Sequence, residues 1–156
     1  MPMPPDAAAR YESMTDLLDG VACAIEGPVA TVLLSRPEAL NALTPEMLTR
    51  LGDVLEQCAA DPTVRIVVLT GVGRAFSAGV DLKALAGRDI TNGAVGDILD
   101  IPARRATALL SGMPKVTIAK VNGFCFTGAL ELAIACDLVL IAEEAKLGDT
   151  HAKFGL

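Results

Sequence analysis

The chain has 156 residues and a mass of 16.1 kDa, room for one domain with a substantial core and not for two. Its residues are 52% hydrophobic but only 3% aromatic, with a mean hydropathy of +0.48, which excludes general disorder and assigns the core to aliphatic side chains. A net charge of -6 and a pI near 4.7 exclude an extended nucleic-acid surface, because phosphate recognition needs clustered Lys and Arg.

The chain opens MPMPPDAAARYESM, with prolines where a signal peptide needs an apolar run; residues 1–15 are expected to be a flexible leader before one domain over 16–156. Two β-rich runs, VACAI (21–25) and VATVLLS (29–35), flank Glu26-Gly27-Pro28 and predict a hairpin. After Arg36-Pro37, Thr44 can cap a helix with Pro45 at its first position. Met47, Leu48, Leu51, Val54, Leu55 and Cys58 then recur at helical spacing as far as Asp61-Pro62. RIVVLTG (65–71) is nearly continuously apolar, the pattern of a parallel strand buried on both faces.

Residues 83–99 are Gly-rich and weakly patterned, and are expected to be the mobile stretch. A second helix (102–111) stops at Gly112 and Pro114, and KVTIAKV (115–121) is the next strand. NGFCFTG then leads into a short helix, ALELAIAC, followed by a strand, DLVLIA; EEAK (143–146) reads as a solvated turn. Strands alternating with helices predict an α/β fold around a largely parallel sheet. The longest apolar region, residues 116–142, is interrupted by Lys120, Glu131, Asp137 and two glycines, which suits a buried core and not a membrane span. Cys23, Cys58, Cys125 and Cys136 form no C-x-x-C pair and have one histidine to join them. Neither a metal site nor a disulfide framework is signalled, and they read as buried thiols of a reducing, cytoplasmic compartment.

In parallel sheets, chemistry gathers where loops leave the carboxyl ends of strands. TGVGRAFSAGVDL (70–82) follows a strand and is rich in small residues, which let a ligand approach the backbone closely. In NGFCFTGALEL (122–132), Gly128 opens a helix, so its N–H points outward with the positive end of the helix dipole behind it, suited to a developing oxyanion. Glu131, one turn on, shares that side of the helix. Set in an apolar run, its carboxyl is expected to be partly desolvated, with a raised pKa useful for general acid/base work.

Three ordered motifs, RPEALNAL, GRAFSAGVDLKAL and NGFCFTGALELAIACDLVLIAEEAKLGDTHAKFGL, resemble the enoyl-CoA hydratase/isomerase (crotonase) superfamily from about residue 20 to the end. The resemblance implies the N-terminal core portion of a β/α spiral, the ClpP/crotonase fold, without the C-terminal helical region. It also implies an enzyme acting on acyl-CoA thioesters, assembled as homotrimers or hexamers. Two backbone N–H groups, at Val80 and Gly128, would hold the thioester oxygen as an enolate, with Glu131 as the first of two catalytic glutamates.

His151 stands where the second glutamate aligns, and its imidazole can accept or donate a proton. Arg36, Ala39 and Asn41 of the first motif, with Ala78 and Lys83 of the second, are the implied contacts to coenzyme A. Glu38 occupies a position where a basic residue is common, so Arg36, Arg74 and Lys83 are the cations to consider. No metal and no cofactor beyond the coenzyme A of the substrate is expected. Hydration of a trans-2-enoyl-CoA is the first reading and double-bond isomerisation by Glu131 alone the second.

Other classes remain open. One is a non-catalytic acyl-CoA-binding or assembly subunit, motivated by the missing second glutamate. G-x-G-x-x at 71–75 resembles a dinucleotide loop, with Phe76 in place of its third glycine. AFSAG resembles a nucleophile elbow, in which Ser77 would act with Asp137 or Asp149 and His151, although Ala75 replaces the first glycine.

Overall fold

Gly27-Pro28 joins β1 (Val21–Glu26) to β2 (Val29–Leu34) as an antiparallel pair, the hairpin that the sequence predicts. The computed structural model describes residues 17–84 and 96–150. The leader, most of the stretch 83–99 and His151 therefore lie outside the described residues.

The Thr44 hydroxyl accepts from Met47 N–H at 3.1 Å, and with Pro45 in first position it starts α1 (Pro45–Ala60), whose apolar stripe is buried as predicted. The helix ends where Asp61 N–H donates to the Gln57 carbonyl at 3.0 Å, and Lys115 donates its ammonium to the carbonyls of Asp61 and Val64. β3 (Ile66–Gly71) then runs parallel to β2.

β4 (Ala75–Ser77) leaves the main sheet. A π-helical turn over Gly96–Asp100 runs directly into α2 (Ile101–Gly112), so helical structure begins earlier than the sequence suggested. β5 (Val116–Val121) lies parallel to β3. After β6 (Phe124–Phe126) and α3 (Gly128–Ile134) the chain returns as β7 (Leu138–Ile141), parallel to β5, and ends its described part with β8 (Leu147–Gly148). The main sheet has the order β1-β2-β3-β5-β7.

Because that order advances steadily, the helices stack in succession, α1 on α2 and α2 on α3. Arg105 of α2 clamps the first pair, reaching Asp53 at 2.8 Å and Glu56 at 2.7 Å on α1. Val67, Leu69, Ala119 and Val121 are buried on one face of the sheet, whereas Ile66, Val68 and Ile118 on the other are half-buried and Val116 is exposed. This corrects the expectation that RIVVLTG is buried on both faces: among the described residues Ile66 and Val68 on the second face are only half-buried. β7 departs further: its four apolar residues are all exposed at the sheet edge.

A second sheet, β4-β6-β8, is parallel throughout and has no counterpart in the sequence reading. Its strands are two or three residues long, too short to show a period. No helix among the described residues is long and apolar enough to cross a membrane.

Candidate active site

β2, β3, β5 and β7 are mutually parallel, so the loops leaving their carboxyl ends emerge on one edge of the sheet. Three of these loops, 35–44, 72–81 and 122–127, pack against one another. Their cohesion comes from two asparagines. Asn41, fully buried and at φ +55°, accepts from Arg36 N–H at 2.8 Å and donates to the carbonyls of Val72 (2.9 Å) and Ala75 (2.8 Å). Asn122 accepts from Gly71 N–H at 3.2 Å and donates to Gly73 O at 2.9 Å. An asparagine can replace peptide hydrogen bonds, which is why this residue type recurs here, and at position 41 it also tolerates the left-handed backbone.

Gly71 serves the same closure. A Cβ there would fall 2.1 Å from the Ala75 carbonyl oxygen, so at this position the small residue admits the protein's own backbone. This narrows the expectation that the small residues of 70–82 serve a ligand. Ser77 is fully buried, its hydroxyl accepting from Gly79 N–H at 3.2 Å, and the Asp137 carboxylate accepts from Thr117 N–H at 2.8 Å. Neither side chain is presented as a hydrolase triad requires. The 71–75 loop leads into β4 and not into a helix, so it is no dinucleotide loop either.

Val80 forms a one-residue parallel bridge with Leu43: Leu43 N–H donates to Gly79 O at 2.8 Å and Asp81 N–H donates to Leu43 O at 2.9 Å. Because peptide groups alternate along an extended chain, the N–H of Val80 itself faces away from Leu43. Gly79, at φ +93°, sits so close to the next loop that a Cβ would lie 2.9 Å from Phe126 O and 3.4 Å from Thr127 Cβ. Gly128 follows, and a Cβ built on it would lie 3.8 Å from Val80 Cγ2 and 4.0 Å from Leu43 Cδ1. The two residues assigned to an oxyanion site, 48 positions apart in sequence, are thus neighbours.

Thr127 directly precedes Gly128 and lies against Gly79. Its backbone, φ +54° and ψ -120°, is a conformation that β-branched residues avoid. Thr127 is held there by several bonds. Its N–H donates to Gly148 O at 3.0 Å, its carbonyl accepts from the N–H groups of Leu130 (2.9 Å) and Glu131 (3.2 Å), and its hydroxyl meets that of Thr150 at 2.8 Å. No sequence period could reveal it, because the signal is a backbone angle at a strand-to-helix junction.

Glu131 lies on the first turn of α3, as expected, but it is solvent-exposed. The expectation of partial desolvation is corrected: the apolar residues beside it, Leu132 and Ala133, turn inward, while Glu131 and Ile134 turn outward. Arg36 is engaged as well, donating through Nη1 and Nη2 to Asp81 Oδ2 at 3.1 Å and through Nη1 to Ala42 O at 2.7 Å. Burial alone would push the Asp81 carboxyl up. The bonds from Arg36 and from the N–H groups of Ala84 and Lys83 outweigh it and hold the group below the ordinary carboxylate value. Ala39 and Ala78 are half-buried, the latter tied by its N–H to Leu40 O at 3.0 Å, while Lys83 and Arg74 are exposed cations.

The enoyl-CoA hydratase/isomerase sequence profile matches residues 24–156. The chain belongs to that family. It is 46% identical over 131 residues to a protein of Thermus thermophilus named as an enoyl-CoA hydratase, covering 83% of this chain and 51% of that one. It is 40% identical over 137 residues to a hydroxycinnamoyl-CoA hydratase-lyase of Pseudomonas fluorescens, covering 85% and 49%. Among solved structures, an enoyl-CoA hydratase/carnithine racemase from Magnetospirillum magneticum superposes with a TM-score of 0.83 at 33% identity, over 90% of this chain and 52% of that one. The architecture is therefore the N-terminal core of the crotonase fold, and the chain spans about half the length of the curated relatives it matches.

Proposed function

We propose that this family member adds water to a trans-2-enoyl-CoA. The observation that carries the reading is the juxtaposition of the Gly79-Val80 loop with Thr127-Gly128 at the helix start, beside Glu131. The N–H groups of Val80 and Gly128 receive the thioester oxygen and stabilise the enolate formed as water oxygen bonds to C3. The proton that completes the addition goes to C2, and Glu131 is the acid/base that moves it. Gly128 is suited to the task because a carbonyl can approach its N–H without meeting a side chain.

Lys83 is the cation we assign to the coenzyme A phosphates. Ala39 and Ala78 contribute through backbone, and Arg36 and Asn41 act behind them by fixing the loops. His151 takes the place of the second carboxylate. Its presence there favours one further reading, isomerisation, in which Glu131 alone moves a proton between two carbons. The exposed apolar edge at β7 supports assembly into homotrimers or hexamers. We assign the protein to the cytoplasm.

The test is Glu131→Gln. Hydration is expected to fall roughly a hundred- to ten-thousandfold, with acyl-CoA binding retained. Wild-type binding without turnover would instead make the chain a binding subunit.

A further inference from the structure

Cys23 on β1 and Cys58 on α1 are 35 positions apart, yet their Sγ atoms lie 3.8 Å from each other. Neither residue belongs to the site described above. Cys58 is 2% exposed and Cys23 half-buried, so Cys23 is the more open residue of the two. The remaining cysteines, Cys125 and Cys136, are both buried, and burial pushes their thiols up to about 11. The Cys58 thiol moves the opposite way, chiefly because Cys23 is hydrogen-bonded to it. Burial opposes that shift and the nearby Lys115 charge assists it. A disulfide needs an S–S distance of about 2.05 Å. The two sulfurs would have to approach by roughly 1.8 Å to bond.

We propose that Cys23 and Cys58 form an oxidant-responsive dithiol that a peroxide converts to a disulfide, fastening the β1–β2 hairpin to α1. The Cys23 thiolate takes one oxygen from hydrogen peroxide as the O–O bond breaks, giving a sulfenic acid and hydroxide. The Cys58 thiolate then attacks the Cys23 sulfur; the S–S bond forms, the S–O bond breaks and a second hydroxide leaves. With the two thiol protons the products are one disulfide and two waters, two electrons having passed from sulfur to peroxide. The link closes a loop that contains residues 36–44, which support the candidate site. It restricts the unfolded chain more than the folded one.

The experiment treats the folded, reduced protein with one equivalent of hydrogen peroxide and reads intact mass, peptide map and melting temperature. The expected result is a loss of two hydrogens, a single linked pair of peptides carrying Cys23 and Cys58, Cys125 and Cys136 still free for alkylation after unfolding, and a melting temperature several degrees higher. Cys23→Ser should abolish the mass loss and the rise. Should Cys23→Ser fail to fold, the wild-type peptide map still decides. Cys23 passing to sulfinic acid with no linked peptide, or links formed only between chains, would overturn the proposal.

Discussion

At position 128 the fold itself has no requirement for glycine. A Cβ there would make ordinary contact at 3.8 Å, and the residue opens a helix in which alanine is the better former by up to about 1 kcal/mol. Gly128→Ala should therefore leave thermal stability unchanged or slightly raised while hydration falls, by at most the roughly hundred- to thousandfold that a lost oxyanion donor costs, because the N–H is retained and the added methyl crowds the carbonyl's approach to it. Paired calorimetry and steady-state kinetics check this.

Asp81 carries the opposite kind of role, holding the loop behind the site through Arg36. Its folded-state value is depressed, so its contribution to stability is fully present above the ordinary carboxylate value of about 3.9 and is lost as pH falls through the lower folded value. Asp81→Asn should cost on the order of 1 kcal/mol at neutral pH. In denaturant titrations, the wild-type and variant stabilities should converge only in that acidic window.

Elements with a strong local signal were legible in the sequence. The Gly27-Pro28 hairpin, the Thr44-Pro45 helix start and the stripe of α1 each depend on neighbours within a few residues. The second sheet was not, because strands of two or three residues are defined by their partners. The site divides in the same way. Gly128 and Glu131 could be placed on one helix turn by spacing, but the outward exposure of Glu131, the burial of Asn41 and the backbone of Thr127 are tertiary facts.

β7 is the element with the plainest unmet need, since Leu138 and Leu140 are 53% and 58% exposed on an edge strand. The chain should self-associate with rising concentration. Leu140→Lys should shift it toward monomer in sedimentation velocity while changing stability by no more than about 0.5 kcal/mol.

Across the whole molecule, four parallel strands deliver their loops to one edge, and the asparagines, Arg36 and Thr127 hold those loops in register there. Family membership and the 0.83 TM-score describe this scaffold, while the two N–H donors and one carboxylate are what the proposed chemistry requires of it. The most direct test is incubation of the protein with a trans-2-enoyl-CoA in deuterated water, read by NMR and mass spectrometry. The expected product is a 3-hydroxyacyl-CoA carrying one deuterium at C2, formed by the wild type and not by Glu131→Gln. A shifted double bond without added water, or substrate recovered unchanged, would contradict it.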